Sequence, residues 1–339
     1  MTWVKSTKPN DDAQGKIIDR WTQAIVLDTG GRDTLNMASR KNRSKLSKLS
    51  IDLSIRQNCR RLFDNPAPPA CIQEAQFDGN SLAHLIQKDW RELERADLWG
   101  YWDDLAYVPH LQGDLFRYLF PICMALWHEC LLQNQVLGSF YRSMHHGHIF
   151  ETMLNDKEGA RVHRYIIDAF MTRIEEERGF QYAQSQTPAY TWLYAFNNLG
   201  ALMPIRKLWD IWWTLDTPGK AVSAIMYASG LVYCEGENPI FPPWTREQGG
   251  GGPYLTELDI CFADGWREDN LRFMRETLSP VYLCEKLAEA ASRIEDEPEG
   301  ELAARIATES AQRHDIIAIQ SEDMLNGLQN PYAWMGCHP

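Results

Sequence analysis

EGARVHRYIIDAFMTRIEEER, residues 158–178, is the stretch that decides the fold class. Val162, Ile166, Ala169, Phe170 and Ile174 recur at intervals of three and four, which places them on one face of an α-helix. Three glutamates, Glu175 to Glu177, stand at its C-terminal end, where the helix dipole favours cations. They call for solvent or a basic partner there.

Helix signals continue in both directions. Upstream, Asp114 is a good N-cap for a long apolar helix, Leu115 to Leu132, which Pro121 should kink or interrupt. Further upstream, Asn80 or Ser81 can cap a helix through Leu82, Leu85 and Ile86 toward Trp90 and Leu93. Downstream, Tyr190–Met203, Ile205–Leu215 and Gly219–Cys234 read as three helices separated by Pro204 and Pro218. Ser279–Pro280 is a cap followed by proline at the first helical position, and Leu283, Leu287, Ala290 and Ile294 then keep helical spacing. The acidic run Glu295 to Glu301 reads as an exposed hinge. Strand-like alternation is scarce; Ile316–Ile319 fits a helix equally well.

The expected fold is therefore mainly α. A multi-helix globular domain over residues 71–335 follows a loosely structured basic extension, residues 1–70. The boundary falls at Asn65–Pro66–Ala67–Pro68–Pro69, where successive X-Pro steps exclude helix. Residues 236–253 form a long Gly/Pro-rich loop with four consecutive glycines, Gly249 to Gly252. Such loops are commonly functional or disordered.

A hydrophobic share of 44% and a charged share of 24% belong to a globular protein, not a disordered one. Ala221–Cys234, the longest charge-free stretch of interest, is too short to span a bilayer. The N-terminus lacks the apolar core of a secretory signal. The eight cysteines include no Cys-x-x-Cys pair, which suits buried reduced thiols in a cytoplasmic protein. Net charge is −12, unevenly spread. Residues 1–70 carry 13 Lys/Arg against 7 Asp/Glu, and the rest carry 21 against 39. An acidic body of this kind repels nucleic acid and attracts basic partners.

No catalytic signature is complete. His145, His146 and His148, with Glu151 one turn beyond His148, are the metal candidates. A carboxylate-bridged site needs a second Glu-x-x-His pair, which the chain lacks, so solvated or packed histidines are the simpler reading. His128–Glu129 lacks the second histidine of His-Glu-x-x-His. The glycine run has neither the lysine nor the helix start of a phosphate-binding loop, and no nucleophile elbow is present. The sequence calls for no cofactor. The basic stretch Arg40 to Arg61 suits phosphate contacts, but it has no interleaved aromatic residues for base stacking. A solvated arm, or one docked on the acidic body, is its plainer reading.

The feature that carries most weight is WRELERADLWGYWDDLAY, residues 90–107, in a chain with 13 tryptophans. Gly100 is expected to break any continuous helix here. The rings are either the core of a helix pair or, alternating with carboxylates, an acidic aromatic patch for a basic protein. On the second reading Trp90, Trp99, Trp102, Asp103 and Asp104 bind the partner, and Trp244, beside the glycine loop, adds an anchor. Trp209, Trp212 and Trp213 share one helical face and read as core. The leading expectation is a cytoplasmic protein-binding, inhibitory protein, in concrete form an immunity protein or antitoxin that neutralises a basic toxin. A metal-dependent hydrolase using the cluster from His145 to Glu151 is the second reading, and a nucleic-acid module using the basic arm is the third.

Overall fold

Asn155 opens the long amphipathic helix with a capping box. Its side chain accepts from the Glu158 N–H, and Glu158 reaches back to the Asn155 N–H. Such a cap is worth about 1 kcal/mol. The computed structural model describes residues 50–73, 82–107, 111–182, 187–234, 236–241 and 265–330. Among these residues there are fourteen helices and no strand, as the patterning predicts. In chain order they are α1 (Leu53–Arg61), α2 (Ala83–Gln87), α3 (Trp99–Tyr107), α4 (Gly113–Leu132), α5 (Gly138–His146), α6 (Ile149–Thr152) and α7 (Asp156–Glu175). Then follow α8 (Pro188–Leu202), α9 (Arg206–Trp212), α10 (Pro218–Val232), α11 (Glu268–Thr277), α12 (Pro280–Arg293), α13 (Gly300–Ser310) and α14 (His314–Gln329).

Helices α4, α8 and α10 are apolar on nearly every side and form the centre of the molecule. A helix apolar all round must be surrounded by others. Helix α7 packs on all three and on α9, α3 pairs with α5, and α12 to α14 gather around α10. Gly113–Leu132 has the length and hydropathy to cross a membrane, yet 83% of its apolar window is buried inside the molecule. It begins at Gly113 with Gln112 at the cap, so Asp114 lies in the first turn, and it runs on through Pro121.

Seven of the nine tryptophans among the described residues are buried. Trp209, Trp212 and Trp213 form the expected core cluster with Trp192, Phe196 and Tyr227. Several of these pairs meet edge to face, worth about 0.5–1.5 kcal/mol each beyond burial.

Several local expectations change. The three glutamates after α7 are answered from within the chain. Glu176 and Glu177 pair with Arg173, Glu175 lies 3.8 Å from Lys220, and the Trp192 indole donates to Glu177. Helix α2 stops at Gln87, so Trp90 falls in a turn and Leu93 in irregular chain. Gly100 sits in the first turn of α3 and does not break it. Within the hinge between α12 and α13, Glu299 is buried and accepts from the Gly179 N–H. The caps Asn80 and Ser81, the glycine run and the extension before residue 50 lie outside the described residues.

The helical unit begins at Ile51, not after the proline stretch. Asp52 caps α1, and Arg56 and Cys59, read from sequence as part of a loose basic arm, are fully buried. The Arg56 guanidinium donates twice to the Glu129 carboxylate on α4, at 3.0 and 3.2 Å, and also to the Trp90 and Arg91 carbonyls. Glu129 also accepts from the Asp52 N–H. Arg56, one of the charges that suggested a solvated arm, is what docks α1.

Removing one member of a buried pair strands the other charge, at about 3–5 kcal/mol. Arg56→Met and Glu129→Leu should each lower the unfolding free energy read from urea titration by that measure. The double variant should be less destabilised than either single change. Additive losses across the cycle would contradict a coupled pair.

Candidate functional site

The tryptophan-rich segment folds so that its residues divide between two environments. On a helix, positions four apart drift by only about 40°. Trp99, Asp103 and Tyr107 therefore share the outer face of α3, with Trp99 55% and Tyr107 52% exposed. Asp103, half-buried, lies 3.7 Å from Arg142 of α5. Tyr107 extends the stripe by stacking on His146, with ring centroids 6.0 Å apart. It was not among the candidates from sequence, although its spacing of eight from Trp99 marks the same face.

Two of the expected contact residues face the other way. Trp102 is 1% exposed and Asp104 5%, because the inner face of α3 is pressed against α5. The Trp102 carbonyl accepts from the Ser143 hydroxyl, and neither side chain is available to a partner. Trp90 is half-buried and already carries cations of its own chain. The guanidinium groups of Arg60 and Arg91 lie 4.7 and 4.5 Å from its ring centroid. Such contacts are worth about 0.5–2 kcal/mol, and they leave Trp90 as part of the docking of α1. Trp244 lies outside the described residues.

The histidine cluster does not assemble into a ligand set. His145 and His146 end α5 with their rings edge to face, 5.3 Å apart. His148 follows in a left-handed conformation, φ 46°, and Glu151 lies in the short helix α6. Among the described residues no three His, Cys, Asp or Glu side chains converge as metal ligands would. His128 and Glu129, the other members of that reading, are engaged elsewhere. Glu129 is saturated by Arg56 and the Asp52 N–H, and His128 Nδ1 lies 2.7 Å from the Tyr165 hydroxyl.

His128 and Tyr165 continue to Cys59, whose thiol is hydrogen-bonded to the same hydroxyl. A cysteine, a tyrosine and a histidine in sequence resemble a nucleophile with its relay, but the electrostatics oppose that chemistry. Burial pushes the Cys59 thiol up to about 12 and His128 down to about 4. The thiol stays protonated at neutral pH, and only the thiolate is a good nucleophile. Cys123 and Cys130 are likewise buried and raised by desolvation, whereas Cys71 and Cys234 are exposed.

Comparison of the chain with family models, with curated proteins and with solved structures gives no match.

His128 makes stability depend on pH. Its folded value, about 4, lies below the ordinary 6.5, chiefly through burial, with Asp52 partly opposing. The unfolded chain therefore binds the extra proton first. The stabilising contribution is complete above pH 6.5 and is lost as pH falls toward 4, by about 3 kcal/mol in all. Urea unfolding at pH 7 and pH 4 should show His128→Asn losing less stability on acidification than the parent. Parallel losses would place the acid sensitivity elsewhere.

Proposed function

We propose that the chain is a protein-binding protein that receives a cationic partner on the outer face of α3. The observation that carries the reading is the stripe Trp99–Asp103–Tyr107. Two large rings are held half in solvent on either side of a carboxylate, in a chain of net charge −12. Exposed aromatic rings on a rigid helix supply affinity once a partner desolvates them. A surplus of negative charge speeds encounter with a basic surface. The concrete form we favour is an immunity protein or antitoxin, acting in the cytoplasm on a basic toxin. The thiols support that compartment: no disulfide occurs among the described residues, and three of their six cysteines are buried. Trp90, Trp102 and Asp104 drop out of the contact set, and Tyr107 and His146 enter it.

The test is co-expression with the product of the adjacent gene, followed by binding kinetics on the purified pair. The parent chain should relieve toxicity and associate at a rate that falls steeply with salt. Trp99→Ala/Tyr107→Ala should weaken binding by tenfold or more, about 1.4 kcal/mol, while thermal stability stays near that of the parent because both rings are exposed. Asp103→Asn should mainly slow association. A rate indifferent to salt, or an affinity unmoved by the double variant, would overturn the assignment.

A further inference from the structure

Wherever a cation lies over an aromatic ring among the described residues, that cation is an arginine and never a lysine. Arg91, Arg206 and Arg313 are held there in one way. Arg91 lies 4.5 Å from the Trp90 ring centroid and 3.2 Å from the Asp89 carboxylate. Arg206 lies 4.4 Å from Phe273 and 3.9 Å from Glu276. Arg313 lies 4.8 Å from Tyr233 and 2.7 Å from Glu237. In each case ring and carboxylate stand within four positions of one another in the chain. A guanidinium can lie on a ring and turn its forked N–H groups to a carboxylate at once, which an ammonium cannot do.

The outer face of α3 repeats this pairing. Asp103 stands one turn, about 6 Å, beyond Trp99, the same sequence interval as Glu237 from Tyr233. Trp99 is 55% exposed, and among the described residues no cation of the chain lies over its ring. Tyr107, one turn further along, has His146 stacked on one side and is likewise exposed. Arg142 stands 3.7 Å from Asp103, beyond hydrogen-bond reach, so the carboxylate keeps its acceptor sites toward any newcomer. The Arg142 charge nonetheless offsets part of the Asp103 charge. Attraction between net charges is thereby weakened at this spot, and stacking and the forked hydrogen bond become what distinguishes one cation from another.

We propose that Trp99 and Asp103 form a seat for an arginine of the protein partner, an assignment that rests on α3 being the binding face. The guanidinium lies on the Trp99 ring and donates to the Asp103 carboxylate, with Tyr107 bordering the same site. A basic surface built from lysines is steered to the acidic chain equally well but is held less tightly at this seat.

The experiment compares tetra-arginine with tetra-lysine, peptides of equal charge, on the full chain at fixed ionic strength. Affinity is read from fluorescence anisotropy of labelled peptide, and the place of binding from the Trp99 indole N–H signal in NMR spectra. Tetra-arginine should shift that signal and bind about two- to fivefold more tightly than tetra-lysine. Trp99→Ala should remove the preference, Trp99→Phe, which keeps a ring, should retain part of it, and Asp103→Asn should weaken tetra-arginine more than tetra-lysine. Thermal unfolding checks each variant, and the exposure of Trp99 keeps all of them near the parent. Equal affinities, with the Trp99 signal shifted by both peptides, would overturn the arginine seat and leave the binding face standing. A Trp99 signal unmoved by either peptide would overturn the face as well. A preference that survives Trp99→Ala would place arginine recognition elsewhere and overturn the seat.

Discussion

The ion pair between Arg56 and Glu129 is the constraint on which the N-terminal half of the molecule depends. Both side chains are wholly withdrawn from water, and in such surroundings a charge is tolerable only when its partner and its remaining hydrogen bonds are all in place. Arg56 meets that condition by reaching α4 with one edge and the turn at Trp90 and Arg91 with the other. Three segments distant in sequence are thereby fixed by one guanidinium. Once α1 is seated, Phe63 closes over Phe116 and Phe120, and Arg60 comes to rest over Trp90 and Tyr118.

The same economy recurs at the other end of α7. Arg173 and Lys220 are nearly buried and take up the carboxylates that follow the helix. Glu177 is held above its ordinary value by desolvation, with Arg173 and the Trp192 indole pulling against it. An acidic chain thus spends several of its scarce cations in its own interior.

Periodicity made most of the helical core legible before any coordinates. The stripe from Val162 to Ile174, the proline-punctuated helices from Tyr190 to Cys234 and the Ser279–Pro280 start all became helices close to where they were expected. These signals are local, carried by spacing and capping. The start of the folded unit was not legible, because a buried arginine and a solvated one look alike until Glu129, 73 residues away, is known to face it. The candidate surface was half legible. Which of Trp99 and Trp102 faces outward depends on where α3 begins, and Gly100 suggested an interruption where the helix in fact starts.

At the crossing of α8 with the segment that leads into α11, Gly200 has no side chain and the Trp266 ring fills the space one would take, so close that a Cβ would lie 2.1 Å from the indole. The indole nitrogen is tied to the Asn197 carbonyl, and the Arg267 N–H to that of Gly200. The two positions therefore form a lock and key within one chain, whose shapes are set against each other. In any descendant sequence they must change together: a methyl group gained at 200 demands a smaller ring, or none, at 266.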